Sequence, residues 1–260
     1  MLFNLLALSF PEWQPHFSFL ETPHANEMMA LRWLHLVFGI IWIGLLYFFN
    51  LVLTPAMKKC DPKLRTKIYP ELMPGAMGWF RSSALVTVIV GLRYFTIHLS
   101  ADAILAGDRS LIGKWFGWWL VVWLVAYAFI YALQLPTKGI LDSFWVRLIG
   151  VSVVVIAASW LVLALNGGPN VSNAHLAISV GGGLGLIMLL NTWGVIWRVQ
   201  KKLIVWARAA AEQSAPMPPE ADRLMRWNYL TARTSFWLSF PMLFFMGAAS
   251  HYPFLSTIAR

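Results

Sequence analysis

Long apolar runs separated by short polar segments dominate this sequence. The first run, residues 31–50, reads LRWLHLVFGIIWIGLLYFFN, and no residue from Trp33 to Met57 carries a fixed charge. A helix needs about 20 apolar residues to cross the hydrocarbon core of a bilayer. The run therefore predicts a transmembrane helix, with His35 as the ionisable group inside it.

Five further apolar runs follow along the chain. They cover residues 82–99, 115–135, 148–165, 173–197 and 234–255. The run within residues 1–27 is too short to span a bilayer and lacks the basic n-region of a signal peptide. The pattern predicts an all-α polytopic membrane helix bundle with about six transmembrane helices. Residues 1–27 are expected to form an interfacial segment, and 28–260 the membrane domain.

Composition supports a membrane protein and suggests its orientation. Hydrophobic residues make up 59% of the chain and charged residues only 12%, so a soluble domain is excluded. Segments 58–81, 138–147 and 198–233 hold fifteen of the twenty Lys and Arg. The positive-inside rule then predicts that these are cytoplasmic and that both termini lie outside. The expected location is the bacterial inner membrane, with a cytoplasmic loop over 198–234 that contains an amphipathic helix. The net charge of +9 is attributed to the Lys and Arg of the predicted cytoplasmic segments rather than to nucleic-acid binding.

With this topology every histidine lies on the outer side. The four at the ends of predicted spans are His35, His98, His175 and His251, while His16 and His24 fall in the N-terminal segment. Imidazole binds haem iron and copper, and ionisable residues in membrane spans are usually functional. We therefore expect the four span histidines to be metal ligands for one or two haem b groups, with copper as the alternative. Each can instead simply lie at the headgroup level.

Glycines and arginines near these histidines are consistent with a bound haem macrocycle. Gly39 and Gly182 share a helical face with the histidines of the first and fifth spans and leave room there. Arg32 and Arg93 lie on the outer side against the charge bias, where they can pair with haem propionates. Glycine also eases helix packing in general, and arginine also reaches to lipid phosphate, so both alternatives stay open. The single cysteine, Cys60, excludes a c-type haem attachment motif.

Three stretches, residues 31–50, 173–202 and 233–253, resemble the N-terminal membrane domain of the bacterial membrane-bound urate oxidase (urate hydroxylase) family. The shared patterns are a histidine before Gly and Trp-Ile-Gly, an Ala-His that opens a Gly-rich span, and a Pro-Met run closed by His-Tyr-Pro. By this resemblance His35, His175 and His251 fall on family histidines, whereas His98 has no counterpart.

The resemblance implies an oxidoreductase that delivers electrons to cytochrome c and the respiratory chain. Two departures stand out. No cytochrome c domain follows within these 260 residues, and Arg233-Thr234-Ser235 replaces the Arg-His-Asn of relatives. The second departure argues against urate oxidation by this chain more strongly than it argues against haem binding.

The favoured hypothesis is a cytochrome b-like electron-transfer subunit that exchanges electrons with a periplasmic cytochrome c or with a larger respiratory or photosynthetic complex. The short loops offer no obvious substrate pocket, so electron transfer within an assembly is preferred over a self-sufficient enzyme. Met28 and Met29 suggest copper handling as a first alternative. The second alternative is a cofactor-free accessory subunit. No polar track runs through the spans, which argues against a solute carrier.

Overall fold

The structure is a computed structural model that describes residues 23–135 and 142–256. Within these residues it is helical and contains no strand. The helices are α1 (Pro23–Tyr47), α2 (Thr54–Lys59), α3 (Pro62–Leu105), α4 (Leu111–Gln134), α5 (Phe144–Asn166), α6 (Asn173–Leu190), α7 (Trp197–Gln213) and α8 (Ala221–His251). One π-helical segment, Phe48–Leu53, joins α1 to α2, and another, Asn191–Ile196, joins α6 to α7.

These elements form six long helical stretches, and five of them are long and apolar enough to cross a membrane. The five are His24–Lys59, Leu64–Leu105, Leu111–Gln134, Phe144–Asn166 and Asn173–Gln213. The prediction of an all-helical, multi-pass membrane protein is confirmed to this extent. The sixth predicted span is a helix, α8, but Ser235, Ser239 and Pro241 interrupt its apolar stretch. A crossing by α8 and the outside position of both termini stay predictions.

Several predicted boundaries are wrong. The basic segment 58–81, expected to be a loop, is helical over most of its length, because α3 begins at Pro62 and continues for 44 residues. That length is roughly 66 Å, about twice the hydrocarbon thickness. Residues 23–27 are helical and belong to α1, while the expected amphipathic helix within 198–234 is present as the main part of α7. The interfacial position of 1–27 and the cytoplasmic position of 198–234 stay predictions. Lys, Arg, Glu, Leu and Met all favour helix, so charge alone does not end one.

Helix α6 lies at the centre of the bundle. Almost all of its residues are buried, and it packs against α3, α4 and α8. The Trp119 and Trp123 side chains of α4 both donate from Nε1 to the Ser179 carbonyl, at 2.9 and 3.0 Å. A Cβ built on Gly183 would overlap the Trp123 indole ring. The glycines of α6 therefore let two large indole rings approach its backbone.

Candidate functional site

The five described histidines lie at one end of the bundle, which we call the histidine end. At this end the first half of α1 runs beside the last part of α3, joined by the Glu27–Arg93 ion pair at 2.7 Å. The end of α3 contacts the start of α6 through Asp102 and Ser172, 2.9 Å apart. The Asn173 amide Nδ2 donates to the Ala248 carbonyl of α8 at 3.0 Å. The helix ends that carry the histidines therefore meet at one end of the bundle, and ligation of a shared metal centre by these histidines stays a prediction. His16 lies outside the described residues.

The centre of the histidine end is a buried Asp102–Ser172–His175 network. Asp102 Oδ2 accepts from the Ser172 backbone N–H and hydroxyl, both at 2.9 Å, and lies 3.0 Å from His175 Nδ1. Ser172 also caps α6, because its hydroxyl oxygen accepts from the His175 backbone N–H at 3.3 Å. A carboxylate only accepts, so an imidazole that bears a single proton and bonds to Asp102 carries that proton on Nδ1. Nε2 is then a bare acceptor, and it is buried without a hydrogen-bond partner.

The other histidines are placed differently. His98 packs edge-on against Tyr94, with ring centroids 4.8 Å apart, and lies within electrostatic reach of Asp102 and His175. Its Nε2 is also buried without a partner. His35 Nδ1 lies 2.9 Å from the Thr87 carbonyl oxygen, and His251 is exposed at the end of α8. The structure therefore orients His175 through Asp102, packs His98 against Tyr94, and leaves His35 and His251 in separate surroundings.

In this packing the described residues leave no open space beside the Nε2 atoms of His98 and His175, or between the His35 ring and Gly91. The Nε2 atoms of His98 and His175 have almost no accessible surface, so no water-sized space borders them. A Cβ on Gly91 would lie 2.8 Å from the His35 ring, so that imidazole already fills the space. Gly182 has Trp119 and Ile178 within van der Waals distance of its Cβ position, and Gly39 has Thr87. The predicted glycine spaces are occupied by protein side chains.

The two arginines predicted to lie on the outer side also have protein partners. Arg93 forms the ion pair with Glu27, and Arg32 donates from Nε to the Tyr94 hydroxyl at 2.8 Å. Within the described residues no group of three or more His, Cys, Asp or Glu could hold a metal ion. The histidine end offers one imidazole, that of His175, whose Nδ1 is held by the Asp102 carboxylate, as is common for histidines that bind a metal through the other nitrogen.

Sequence reasoning missed Asp102. It read the residue as part of a loop, whereas the residue lies in the last turns of α3 and is 1% exposed. Its partner His175 is 73 positions away along the chain. A local signal was present at the other side of the contact, since Ser172 followed by Asn173 is a strong N-cap pattern.

The main cavity among the described residues lies at the opposite end of the bundle. Gln200, which lines it, is 25 residues beyond His175 along the α6–α7 stretch, or roughly 37 Å. The cavity has a volume of about 570 Å³, is open on one side, and is lined by the α1–α2 stretch, α3, α7 and α8. Lys58 and Arg65 are exposed on its margin, so we call it the basic-end cavity.

The walls of the basic-end cavity are mainly apolar and aromatic. Phe49 and Phe80 pack edge to face there, with centroids 5.5 Å apart, and Leu46, Met73 and Leu203 are buried beside them. The Lys58 ammonium lies over the Tyr229 ring at 5.6 Å and links α2 to α8 across the margin. Such a wall suits a ligand with a flat or apolar body.

A few polar side chains interrupt these walls. The Tyr69 hydroxyl donates to Gln200 Oε1 at 2.5 Å, which ties α3 to α7. Asn50 lies on the π-helical segment, where its Nδ2 donates to the Leu46 carbonyl at 2.9 Å. π-Helical turns occur frequently at functional sites. None of the histidines, arginines or glycines proposed from sequence lines this cavity, so sequence reasoning missed the site as a whole.

Comparison of the chain with protein-family models, with curated proteins and with solved structures found no match. The functional argument therefore depends on the residues of the two ends of the bundle.

Proposed function

We propose that this protein is a membrane oxidoreductase subunit that binds a small, flat, polar substrate in the basic-end cavity. It would pass electrons toward a periplasmic cytochrome c or a larger electron-transfer complex. The observation that carries the proposal is the cavity itself. Its volume of about 570 Å³ lies within the range of small-molecule sites, which are mostly apolar and contain a few oriented polar groups.

The cavity favours a substrate-binding oxidoreductase over a subunit that only transfers electrons. The loops offered no substrate pocket, and that argued for electron transfer alone. Helices line the pocket instead. They are the α1–α2 and α6–α7 stretches, each of which contains a π-helical segment, together with α3 and α8. The redox part of the proposal is supported by the resemblance to the urate oxidase membrane domain. Urate is a flat, polar anion, and Lys58 and Arg65 at the margin complement its charge.

The residues can be given roles without a bound cofactor. The phenyl rings of Phe49 and Phe80 would contact the flat faces or edges of the substrate, while Tyr69, Gln200 and Asn50 would orient its polar edge. In urate hydroxylation water supplies the added hydroxyl group, and the substrate gives up an electron pair and the matching protons. Two molecules of oxidised cytochrome c, each a one-electron acceptor, would take up that electron pair, and the protons would pass to water.

Filling the cavity tests this proposal. Ala207 lines it on α7, and Ala211, one turn further on, is exposed. Purified protein in nanodiscs is mixed with urate and oxidised cytochrome c, and urate loss and cytochrome reduction are followed by absorbance. We expect turnover in the wild type and in Ala211→Phe, and at least a tenfold loss in Ala207→Phe. Absence of wild-type turnover, or full turnover in Ala207→Phe, would refute the proposal.

The histidine end favours a second candidate, an electron-transfer subunit that holds haem b through His175. The supporting observation is the Asp102 carboxylate on His175 Nδ1, which leaves Nε2 free to act as a ligand. Bound haem would supply one-electron chemistry, and its entry would require the packing around His175 to open. A b-type band in the dithionite-reduced protein supports this candidate, and a reduced protein without such a band rejects it. Copper without a Soret band would favour copper handling.

A further inference from the structure

Two cationic side chains lie against one indole ring where α3 meets α7. The Arg81 guanidinium of α3 lies over the Trp197 ring at 4.0 Å from its centroid, and the Lys201 ammonium lies over the same ring at 5.5 Å. The two cationic groups are therefore at most about 9.5 Å apart, the sum of these distances. None of the three residues lines the basic-end cavity. We call them the cationic cluster, which is separate from the proposed substrate site.

The Arg81 side chain extends along α3 toward the basic end. Its backbone carbonyl accepts from Trp193 Nε1 at 3.1 Å. Its guanidinium lies nearer to Trp197 than to Trp193, at 4.0 and 5.4 Å from the ring centroids, and Trp197 is one turn further from the histidine end. Long basic side chains in membrane helices extend in this way toward the headgroup level, where the charge meets water and phosphate.

The level of the cationic cluster along the bundle matches that of lipid headgroups. Arg81 is 21 residues from Asp102 along α3, and Trp197 is 22 residues from His175 along the α6–α7 stretch. Each separation is roughly 30 Å in a helix, which is the thickness of the hydrocarbon core. With the histidine end at one surface of the bilayer, the cluster lies at the opposite surface. Tryptophan is enriched at such surfaces, and Trp79, two residues before Arg81, is 62% exposed.

The charges of the cationic cluster have no carboxylate partner in the part of the chain that the structure describes. The ion pairs found there include neither Arg81 nor Lys201. Arg81 Nε is fully buried without a hydrogen-bond partner, whereas its terminal nitrogens keep accessible surface, and Lys201 is exposed. A Cβ on Gly78, one turn before Arg81 on the same face of α3, would meet nothing within 4 Å. Space is therefore open on the face along which the Arg81 side chain extends.

We propose that Arg81 and Lys201, arranged around Trp197, bind the phosphate group of an anionic phospholipid in the leaflet at the basic end. A guanidinium can donate two parallel N–H bonds to phosphate oxygens, and the lysine ammonium adds a second positive charge. Basic groups between membrane helices bind lipid headgroups by this chemistry. A zwitterionic lipid has the same phosphate but also a cationic group, which the two side chains repel. The site therefore selects lipids with a net negative charge, and it goes beyond the proposed function of the cavity.

Lipid binding to the purified full chain in detergent micelles tests this site. Native mass spectrometry measures the dissociation constants of phosphatidylglycerol and of phosphatidylcholine with the same acyl chains. We expect the wild type to prefer phosphatidylglycerol by about tenfold or more, because each cation near the membrane surface contributes about fivefold. Equal affinity for the two lipids would overturn the proposal.

Matched variants assign the preference to the cationic cluster. Arg81→Gln and Lys201→Gln each remove one charge and should each lower the preference about fivefold. Lys202→Gln makes the same change at the adjacent exposed position of α7 and should keep the wild-type preference. Arg81→Lys keeps the charge and should retain most of the preference, which separates loss of charge from loss of folding. An unchanged preference in both glutamine variants of the cluster, or an equal loss in Lys202→Gln, rejects the assignment.

A soluble phosphate distinguishes a lipid site from a general anion site. Glycerol 3-phosphate carries the headgroup phosphate without acyl chains, so at millimolar concentration it should leave phosphatidylglycerol bound. Displacement of the lipid by this anion would show a site for free phosphate and would overturn the lipid assignment.

Discussion

Gly183 on α6 offers a sharp test of how the bundle is packed. A Cβ at this position would overlap the indole ring of Trp123, whose side chain has no exposed surface. The same indole donates from Nε1 to the Ser179 carbonyl at 3.0 Å, and Trp119, one turn earlier on α4, donates to the same carbonyl at 2.9 Å. In Gly183→Ala the Trp123 ring has to move away from α6, and little space is left for it.

The magnitude follows from three contributions. Overpacking a buried site costs about 1–3 kcal/mol. Loss of the Trp123 hydrogen bond costs about 1 kcal/mol more, although such bonds average less within membranes. Replacing a helical glycine by alanine returns about 1 kcal/mol. We therefore expect Gly183→Ala to lower the free energy of unfolding by about 1–3 kcal/mol.

The matched control is two residues further along the same helix. Gly185 is also buried, but nothing lies within 4 Å of its Cβ position. Gly185→Ala should therefore be neutral or stabilise the protein by up to about 1 kcal/mol. Reversible unfolding in mixed detergent micelles, followed by tryptophan fluorescence, measures both variants. If Gly183→Ala proves as stable as Gly185→Ala, the close approach of α4 to α6 described here is wrong.

Two further predictions concern the histidine end. Asp102→Ala removes the acceptor of three hydrogen bonds in a buried site and should cost about 3–5 kcal/mol in the same unfolding assay. Asp222→Ala, at an exposed position in the first turn of α8, should cost less than about 1 kcal/mol. Equal stability of these two variants would mean that the Asp102 network contributes nothing. If the purified protein shows a b-type haem spectrum, His175→Ala should abolish it and His16→Ala should keep it; a signal retained in both variants would exclude His175 as the ligand.

The length of the apolar runs predicted most of the helices correctly, and the physical reason is simple. A run such as residues 31–50 has no favourable place outside the bilayer. The errors came from treating charge as a helix boundary at 58–81, where Lys, Leu and Met continue α3 with Pro70 and Pro74 inside it. Proline is tolerated there in a long helix at the cost of local backbone hydrogen bonds.

The sequence predicted much less of the candidate sites than of the helices. The histidines converge on one end, as their places in the spans predicted, but their rings do not share a common centre. Asp102 reaches His175 across 73 residues, and no local pattern predicts that contact. At the basic end, Tyr69 and Gln200 are 131 residues apart and carry no charge. A search for ionisable groups in apolar runs therefore did not find them. Asn50, a polar residue at the end of the first run, was the one sequence signal that pointed to this cavity.

The central claim is that the basic-end cavity is the substrate site, and direct binding tests it most simply. Equilibrium binding of urate to the wild type, to Ala207→Phe and to Ala211→Phe in nanodiscs separates occupation of the cavity from any later redox step. The account predicts saturable binding to the wild type and to Ala211→Phe, and at least tenfold weaker binding to Ala207→Phe. Equal affinity in all three proteins would place the ligand elsewhere and contradict the account.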